Sequence, residues 1–251
     1  MEYTDERIQQ VVSRLYNQGR RGYFIDIGAN QGKMILNLLA LGFRLPYLGF
    51  EPDLDGARYI QELIQLNQLS NHHVLPIALG GENSMLELHR SHPTDVNSTL
   101  GLDLRPAQMY SNTTRVPVST ADDQLAELEQ PIFLVKIDTE GWELNVLRGM
   151  EAILREKRPP VYFEVMGYRH LVEKTYPREY FGGELSNDEL RRLIQNRRDN
   201  MSSLENFWGQ CGYATYLCRE DGTLHPSHSL DPGVQSDDNR GEMDFLAVSM
   251  N

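Results

Sequence analysis

The sequence predicts an α/β fold: a doubly wound, seven-stranded sheet, mostly parallel, with an antiparallel last strand. Three observations predict it. Short apolar runs alternate with segments of helical period over most of the first two thirds of the chain, the pattern of parallel strands joined by crossover helices. The first run, Tyr23–Ile27, passes directly into a turn bracketed by Gly28 and Gly32, and then into a helix-like stretch. The chain closes on two further apolar runs, 213–218 and 243–248, in a hairpin-like finish.

Taken in order, Ile8, Val11, Val12, Leu15 and Tyr16 recur at helical spacing, with Gly19 and Gly22 ending that helix. After the glycine turn, Met34, Ile35, Leu38, Leu39 and Leu41 form a second apolar face, with Gly42 as its C-cap. A second strand, 47–50, ends in Glu51 and Pro52; Asp53 and Asp55 then cap a helix facing inward through Ala57, Ile60, Leu63, Ile64 and Leu66. A third strand is expected over 74–79, at a sheet edge because Pro76 lacks an N–H for the ladder.

From 84 to 118 the pattern changes to a short strand, a polar stretch and a return strand. That excursion is long for a connector, which marks a functional loop or a mobile lid. The fourth strand, 132–137, runs into Asp138-Thr139-Glu140-Gly141-Trp142-Glu143 and one helix through Val146, Leu147, Met150, Ile153 and Leu154. Pro159 and Pro160 end it, and a fifth strand covers 161–165. A second irregular, charged region, 167–200, contains a helix over 188–198, and a separate short helix over 204–208 precedes the sixth strand. No linker divides the chain, so 1–251 reads as one domain with 84–118 and 167–200 as candidate substrate or lid regions.

Bulk properties exclude several classes. A hydrophobic fraction of 40% and a charged fraction of 24% are those of a globular chain. No apolar run approaches the roughly 20 residues of a membrane-spanning helix. A net charge of −12 argues against nucleic-acid partners. The first residues carry neither a basic nor an apolar leader pattern, so a cytoplasmic location is expected, with Cys211 and Cys218 as reduced thiols.

In doubly wound sheets ligands lie beyond the carboxyl ends of the strands, at the switch point. That rule gathers Gly28 to Gly32, Glu51, Leu79, Asp138 to Glu143, and Glu164 to His170 on one rim, and sets His72 and His73 on the other. Glu51, closing the second strand, is placed to accept hydrogen bonds from a ribose diol. Asp26 needs donors if buried, from turn N–H groups or from a ligand ammonium. Asp138, Glu140 and Glu143 bring three acids to one loop, although Glu140 and Glu143 also suit the positive end of the following helix. Acids at this rim favour a sulfonium and an α-amino group and disfavour a dinucleotide pyrophosphate. The glycine spacing is also not that of the dinucleotide fingerprint.

The set Asp26-Ile27-Gly28-Ala29-Asn30-Gln31-Gly32, Phe50-Glu51-Pro52, Ala78-Leu79 and Lys136-Ile137-Asp138-Thr139-Glu140-Gly141-Trp142-Glu143 resembles the motifs of the FkbM family of methyltransferases, in the family's order. Asp122 stands at its acidic position before the fourth strand, and Phe163-Glu164 on the fifth. The resemblance covers residues 20–166. It implies a class I methyltransferase-like (Rossmann-like) fold that uses S-adenosyl-L-methionine and O-methylates a sugar, glycolipid or secondary metabolite. It further implies that Gly28 and Asn30 line the methionine and ribose part of the cofactor, that Glu51 holds the ribose diol and that Leu79 flanks adenine. Asp138 would then lie near the cofactor's amino group or the transfer site.

A hydroxyl acceptor needs a proton acceptor. His170 is the first candidate, with Glu164 and Glu140 as alternatives and His89 and His92 within reach on the long loop. Asp138, Glu140 and Glu164 would alternatively hold a magnesium-type ion, although no metal is expected. Arg191, Arg192, Arg197 and Arg198, with Arg169, Lys174 and Arg178, would meet an anionic small-molecule or carbohydrate acceptor, or form a solvated face. Tyr168, Tyr176, Tyr180 and Phe181 would stack on a ring or pack the region. The rival classes are an NAD-type oxidoreductase and a non-catalytic nucleotide-binding accessory module. The oligomeric state has no signal in the sequence.

Overall fold

A computed structural model describes residues 6–91, 98–174, 183–231, 233 and 242–250 of the chain. The elements in chain order are α1 (Glu6–Asn17), β1 (Tyr23–Ile27), α2 (Lys33–Ala40), β2 (Tyr47–Phe50), α3 (Leu54–Leu66), β3 (His72–Leu75), β4 (Ala78–Leu79), β5 (Ser84–Arg90) and β6 (Asn112–Ser119). They continue with α4 (Ala121–Gln124), β7 (Ile132–Ile137), α5 (Glu143–Arg148), α6 (Glu151–Glu156), β8 (Val161–Met166), α7 (Arg169–Val172), α8 (Asn187–Cys211), β9 (Tyr213–Cys218), β10 (Leu224–Ser227) and β11 (Glu242–Ser249).

Among the described residues the main sheet has eight strands, in the order β10-β9-β11-β8-β7-β1-β2-β3. β3, β2, β1, β7 and β8 run parallel to one another, and β11 lies antiparallel between β8 and β9. This is the expected architecture with one strand more. The eighth, β10, folds back on β9 as an antiparallel edge. Among the described residues no helix is long and apolar enough to cross a membrane.

Strand order reverses between β1 and β7, because the chain steps outward from β1 through β2 to β3 and then returns to β7. One apolar layer joins β1 and β2 to α1, α2 and α3 through Ile8, Val12, Phe24, Ile35, Tyr47 and Ile60. The opposite layer packs Ile25, Val135, Phe163 and Phe245 against Val146, Leu154, Leu193 and Trp208. The Trp208 ring lies 5.1 Å from Phe163 and 5.3 Å from Tyr213.

Three boundaries differ from the sequence reading, each for a local reason. The third strand does not run over 74–79. β3 ends at Leu75, and after Pro76 the chain leaves the main sheet, so that Ala78 and Leu79 pair with Val118 and Ser119 in a separate sheet ordered β4-β6-β5. The helix after β7 is two helices. It breaks at Gly149 and Met150, and α6 is restarted by Asp122, whose two carboxylate oxygens accept from the N–H groups of Ala152 (3.0 Å) and Ile153 (2.9 Å). The separate helices expected over 188–198 and 204–208 are instead one, α8. A Ser186/Glu189 capping box opens it and Gly212 at φ 72° closes it. Its inward stripe is Leu190, Leu193, Arg197, Met201, Leu204 and Trp208, so a buried arginine occupies a core position and interrupts the apolar pattern.

The break at Gly149 lets the loop after β4 pass over it: a Cβ at 149 would sit 1.9 Å from the Gly80 carbonyl oxygen. That oxygen is backbone and has no rotamer to yield. Gly149→Ala is therefore expected to destabilise the chain by at least about 2 kcal/mol, measured by urea unfolding. A loss below about 0.5 kcal/mol, the range of a neutral surface change, would refute the close-approach account.

Candidate active site

The carboxyl ends of β1, β2 and β7 open on a cavity of about 320 Å³ at the switch point. Gly28, Asn30, Glu51, Asp53, Tyr59, Leu79, Leu88, Ser98, Leu100, Asp138, Thr139, Glu140 and Trp142 are among the residues that line it. The volume sits at the low end of the range of about 300–1,000 Å³ for small-molecule sites, which suits one cofactor-sized ligand.

The turn after β1 forms the floor. Gly28 has φ 80°, and a Cβ there would lie 1.9 Å from the carbonyl oxygen of Asp138, so only glycine lets the two loops cross. Gly28 and Ala29 both donate to the Phe50 carbonyl at 3.0 and 3.1 Å, and Asp138 donates to the Ile27 carbonyl at 3.0 Å. Asn30 adopts φ 51° and leads to Gly32, the N-cap of α2.

Glu51 is 6% exposed. Its Oε2 accepts from the Asn30 N–H at 2.6 Å and its Oε1 from the Asp53 N–H at 2.8 Å. Burial pushes its pKa up to about 7, against the two backbone donors that hold it down. The remaining lone pairs of this carboxylate are suited to a vicinal diol. Asp53, which caps α3, also pairs with Arg90 at 2.8 Å, and Arg90 donates to Thr114 at 2.7 Å.

Beneath the floor, Asp26 is fully buried. Tyr47 donates to its Oδ2 at 2.7 Å, and Lys136 Nζ lies 3.4 Å from its Oδ1 and 3.1 Å from Asp138 Oδ2. Burial works against the Lys136 ammonium, but Asp138 and Asp26 outweigh it and raise its pKa, so it stays charged. Asp26 therefore does not line the cavity. It anchors the lysine that fixes Asp138, which does.

The loop after β7 is held by Glu143, whose Oε1 accepts from the Thr139 N–H (2.9 Å), the Thr139 hydroxyl (3.0 Å) and the Gly141 N–H (3.1 Å). Glu143 is thus the structural acid of the three. Glu140 lines the cavity at φ 58°, its carboxylate ion-paired with Arg105 and its carbonyl accepting from Thr99 Oγ1 at 2.9 Å. Arg105 is not among the residues the sequence singles out, yet it follows the alternating Leu100, Leu102 and Leu104 and is 2% exposed.

The structure brings Gly28, Asn30, Glu51, Leu79, Asp138 and Glu140 together and leaves His170 and Glu164 outside the lining. Side-chain alternation along β8 accounts for Glu164, which shares the face of Tyr162 and stands opposite Asp244 of β11. His170 turns away with α7, which packs on α8. His89 faces Tyr110 at 6.1 Å, and His92 lies outside the described residues. His72 and His73 open β3 on the far rim. Among the described residues no group of three His, Cys, Asp or Glu is arranged to hold a metal ion.

The arginine cluster is largely committed within the chain. Arg197 donates to the carbonyls of Leu104 (3.0 Å) and Gly167, Arg191 pairs with Asp188 at 2.9 Å and Arg169 with Glu173 at 2.7 Å. The Arg198 guanidinium lies 4.7 Å from the Tyr168 ring, and the Tyr168 hydroxyl donates to the Asp231 carboxylate at 2.8 Å. Arg178, Tyr176, Tyr180 and Phe181 lie outside the described residues.

The methyltransferase FkbM domain matches residues 26–204. Among solved structures, the chain is similar to the plantazolicin methyltransferase BamL in complex with a triazolic desmethylPZN analog and S-adenosylhomocysteine. The identity is 10% over 97% of this chain and 84% of that chain, with a TM-score of 0.52. It is also similar to methyltransferase FkbM from Methylobacillus flagellatus KT (15% identity, 90% of this chain, 43% of that chain, TM-score 0.47). A third likeness is to the O-methyltransferase from Bacillus cereus in complex with S-adenosylhomocysteine (15% identity, 99% of this chain, 82% of that chain, TM-score 0.47). The chain thus spans less than half of the Methylobacillus protein's length. No curated protein sequence matches the chain. The family match decides against the dinucleotide alternative.

Glu51 makes the site pH-sensitive in two opposite ways. Between its ordinary value of 4.5 and about 7 the folded chain keeps a proton that the unfolded chain releases. Its contribution to stability is therefore full below 4.5 and lost as pH rises through about 7. A diol donating to Glu51 needs the ionised form. Affinity for S-adenosylhomocysteine is therefore expected to climb with pH to a plateau above about 7 in calorimetric titration, falling by up to about tenfold per unit below it. Glu51→Gln should bind weakly and without that slope; a slope that survives the substitution belongs to another group.

Proposed function

The chain belongs to the methyltransferase FkbM domain family of S-adenosylmethionine-dependent methyltransferases, and from that premise we propose that it methylates a hydroxyl oxygen of a sugar, glycolipid or secondary metabolite. The observation that carries the proposal is the division of the cavity wall into two acidic ends. Glu51 is aimed by two backbone N–H groups at one end, and Asp138 and Glu140 stand at the other. The first arrangement suits a ribose diol, and the second suits the positive charges of an α-ammonium and a sulfonium.

Bound there, S-adenosylmethionine supplies an electrophilic methyl group on a cationic sulfur. The chain binds, orients and handles the proton. Gly28 and Asn30 would hold the methionine and ribose part, Leu79 would give adenine an apolar wall, and Asp138, fixed by Lys136, would hold the amino group. Holding the acceptor oxygen in line with the transferred methyl contributes about 7–11 kcal/mol, with no covalent enzyme intermediate. Glu140 is the proton acceptor in this reading, because it is the one of the three candidates that reaches the cavity.

Methyl-labelled S-adenosylmethionine, incubated with the chain and a panel of hydroxyl-bearing sugars and metabolites, should yield an O-linked label. Label found only on nitrogen or carbon would overturn the oxygen assignment. S-adenosylhomocysteine at 100 times its dissociation constant should add about 2.7 kcal/mol of stability, and NAD none. Glu140→Gln should lower turnover by about 100-fold or more while leaving S-adenosylhomocysteine affinity within about threefold; undiminished turnover removes it as the proton acceptor.

A further inference from the structure

Two unfavourable features meet on one stretch of cavity wall. Glu140 adopts φ 58°, a left-handed conformation that glycine or asparagine tolerates better. Its ion-pair partner Arg105 is 2% exposed, so a guanidinium has been taken out of water. A glycine at 140 would remove the backbone strain and the need for a buried cation together. Its neighbour Gly141, at φ 100°, already is one. The chain keeps a carboxylate there at double cost, on a residue that lines the cavity.

Arg105 is itself placed by α8. The preceding carbonyl, Leu104, accepts from Arg197 of α8 at 3.0 Å, and Asn196 donates to the Asp103 carbonyl at 2.7 Å. From the same excursion, Thr99 donates to the Glu140 carbonyl at 2.9 Å. The excursion therefore grips Glu140 at both its backbone and its carboxylate, across 35 and 41 residues of sequence. The other arginines in this half of the molecule are occupied differently. Arg197 serves backbone carbonyls, and Arg191 and Arg169 make near-surface pairs on their own helices.

We infer that Arg105 is a positioning residue for the methyl-donor site, acting through Glu140: it fixes the carboxylate beside the place where the donor carries its transferable, positively charged group. The inference rests on the methyltransferase reading above. Its physical content is a sign. If Arg105 only contributed its positive charge to the cavity, removing it would strengthen binding of a cationic ligand. If it positions Glu140, removing it weakens that binding, because the carboxylate is no longer held against the ligand.

The two cases separate in a double-mutant cycle on the full chain, titrating S-adenosylmethionine, which is cationic at sulfur, and S-adenosylhomocysteine, which is neutral there. Arg105→Gln should weaken S-adenosylmethionine by at least about tenfold and S-adenosylhomocysteine by less than about threefold; in a Glu140→Gln background it should change neither. Arg105→Lys, which retains the charge, should recover part of the loss. Where Arg105→Gln fails to fold, the paired variant Arg105→Met with Glu140→Gly removes both the buried charge and the strain. It should show a Tm at or above that of the parent, with the preference for S-adenosylmethionine gone. Unchanged or tighter S-adenosylmethionine binding in Arg105→Gln, an equal loss in the Glu140→Gln background, or an undiminished preference in the paired variant each overturns the inference. Failure of the parent chain to bind either ligand is a different result: it removes the methyltransferase reading, and the inference with it.

Discussion

The contact on which the site depends is the crossing of two backbones at the switch point. The turn after β1 passes so near the Asp138 carbonyl that position 28 has no room for a side chain. Everything that lines the cavity is set out from that crossing. The Asp138 N–H returns to the Ile27 carbonyl, and Gly28 and Ala29 share the Phe50 carbonyl, so β1, β2 and β7 are joined beyond the ends of their ladders. Any group larger than hydrogen at that point would push the floor of the cavity away from its acidic end.

Acidic residues then accumulate around the crossing without a matching accumulation of free charge. Asp26 and Asp138 share Lys136, Asp53 has Arg90, Glu140 has Arg105, Glu51 has two N–H donors and Glu143 has the loop it closes. Each pairing keeps a carboxylate oriented, and for Asp26, Glu51 and Glu143 the partners oppose the upward pKa shift that burial causes. The excursion from β5 to β6 supplies both arginines, Arg90 as the last residue of β5 and Arg105 from the connection that follows. Over its described residues that excursion is tied to both cavity walls and to α8.

Much of this was legible in the sequence, for reasons that residue spacing can carry. A glycine turn after an apolar run, an acid at the end of the next strand and a third acidic loop marked the rim and the donor class, and they pointed to Gly28, Asn30, Glu51, Asp138 and Glu140, which line the cavity. What escaped depended on contacts between distant segments. Arg105 follows a buried leucine, but a charged residue there reads as exposed until its partner at 140 is known. The polar residues Asp199, Asn200, Ser202 and Ser203 made one helix look like two. Asp122 gave no hint that it starts a helix some thirty residues later. Pro76 was read correctly as a problem for a strand and incorrectly as a tolerated one, since the chain leaves the main sheet there. His170 and Glu164 share a rim with the site but not its lining, because rim membership follows from topology and side-chain direction does not.

The two ends of the main sheet have something in common. Its outermost strands, β3 and β10, are each four residues long; Pro76 follows the one and Pro226 sits within the other. Unpaired strand edges recruit further strands from other chains, and short length together with a missing amide donor is how natural sheets discourage it. The same residue type that cost the third strand its expected length therefore helps to close the sheet against growth at both margins, leaving a finite sheet that offers little template for edge-to-edge aggregation.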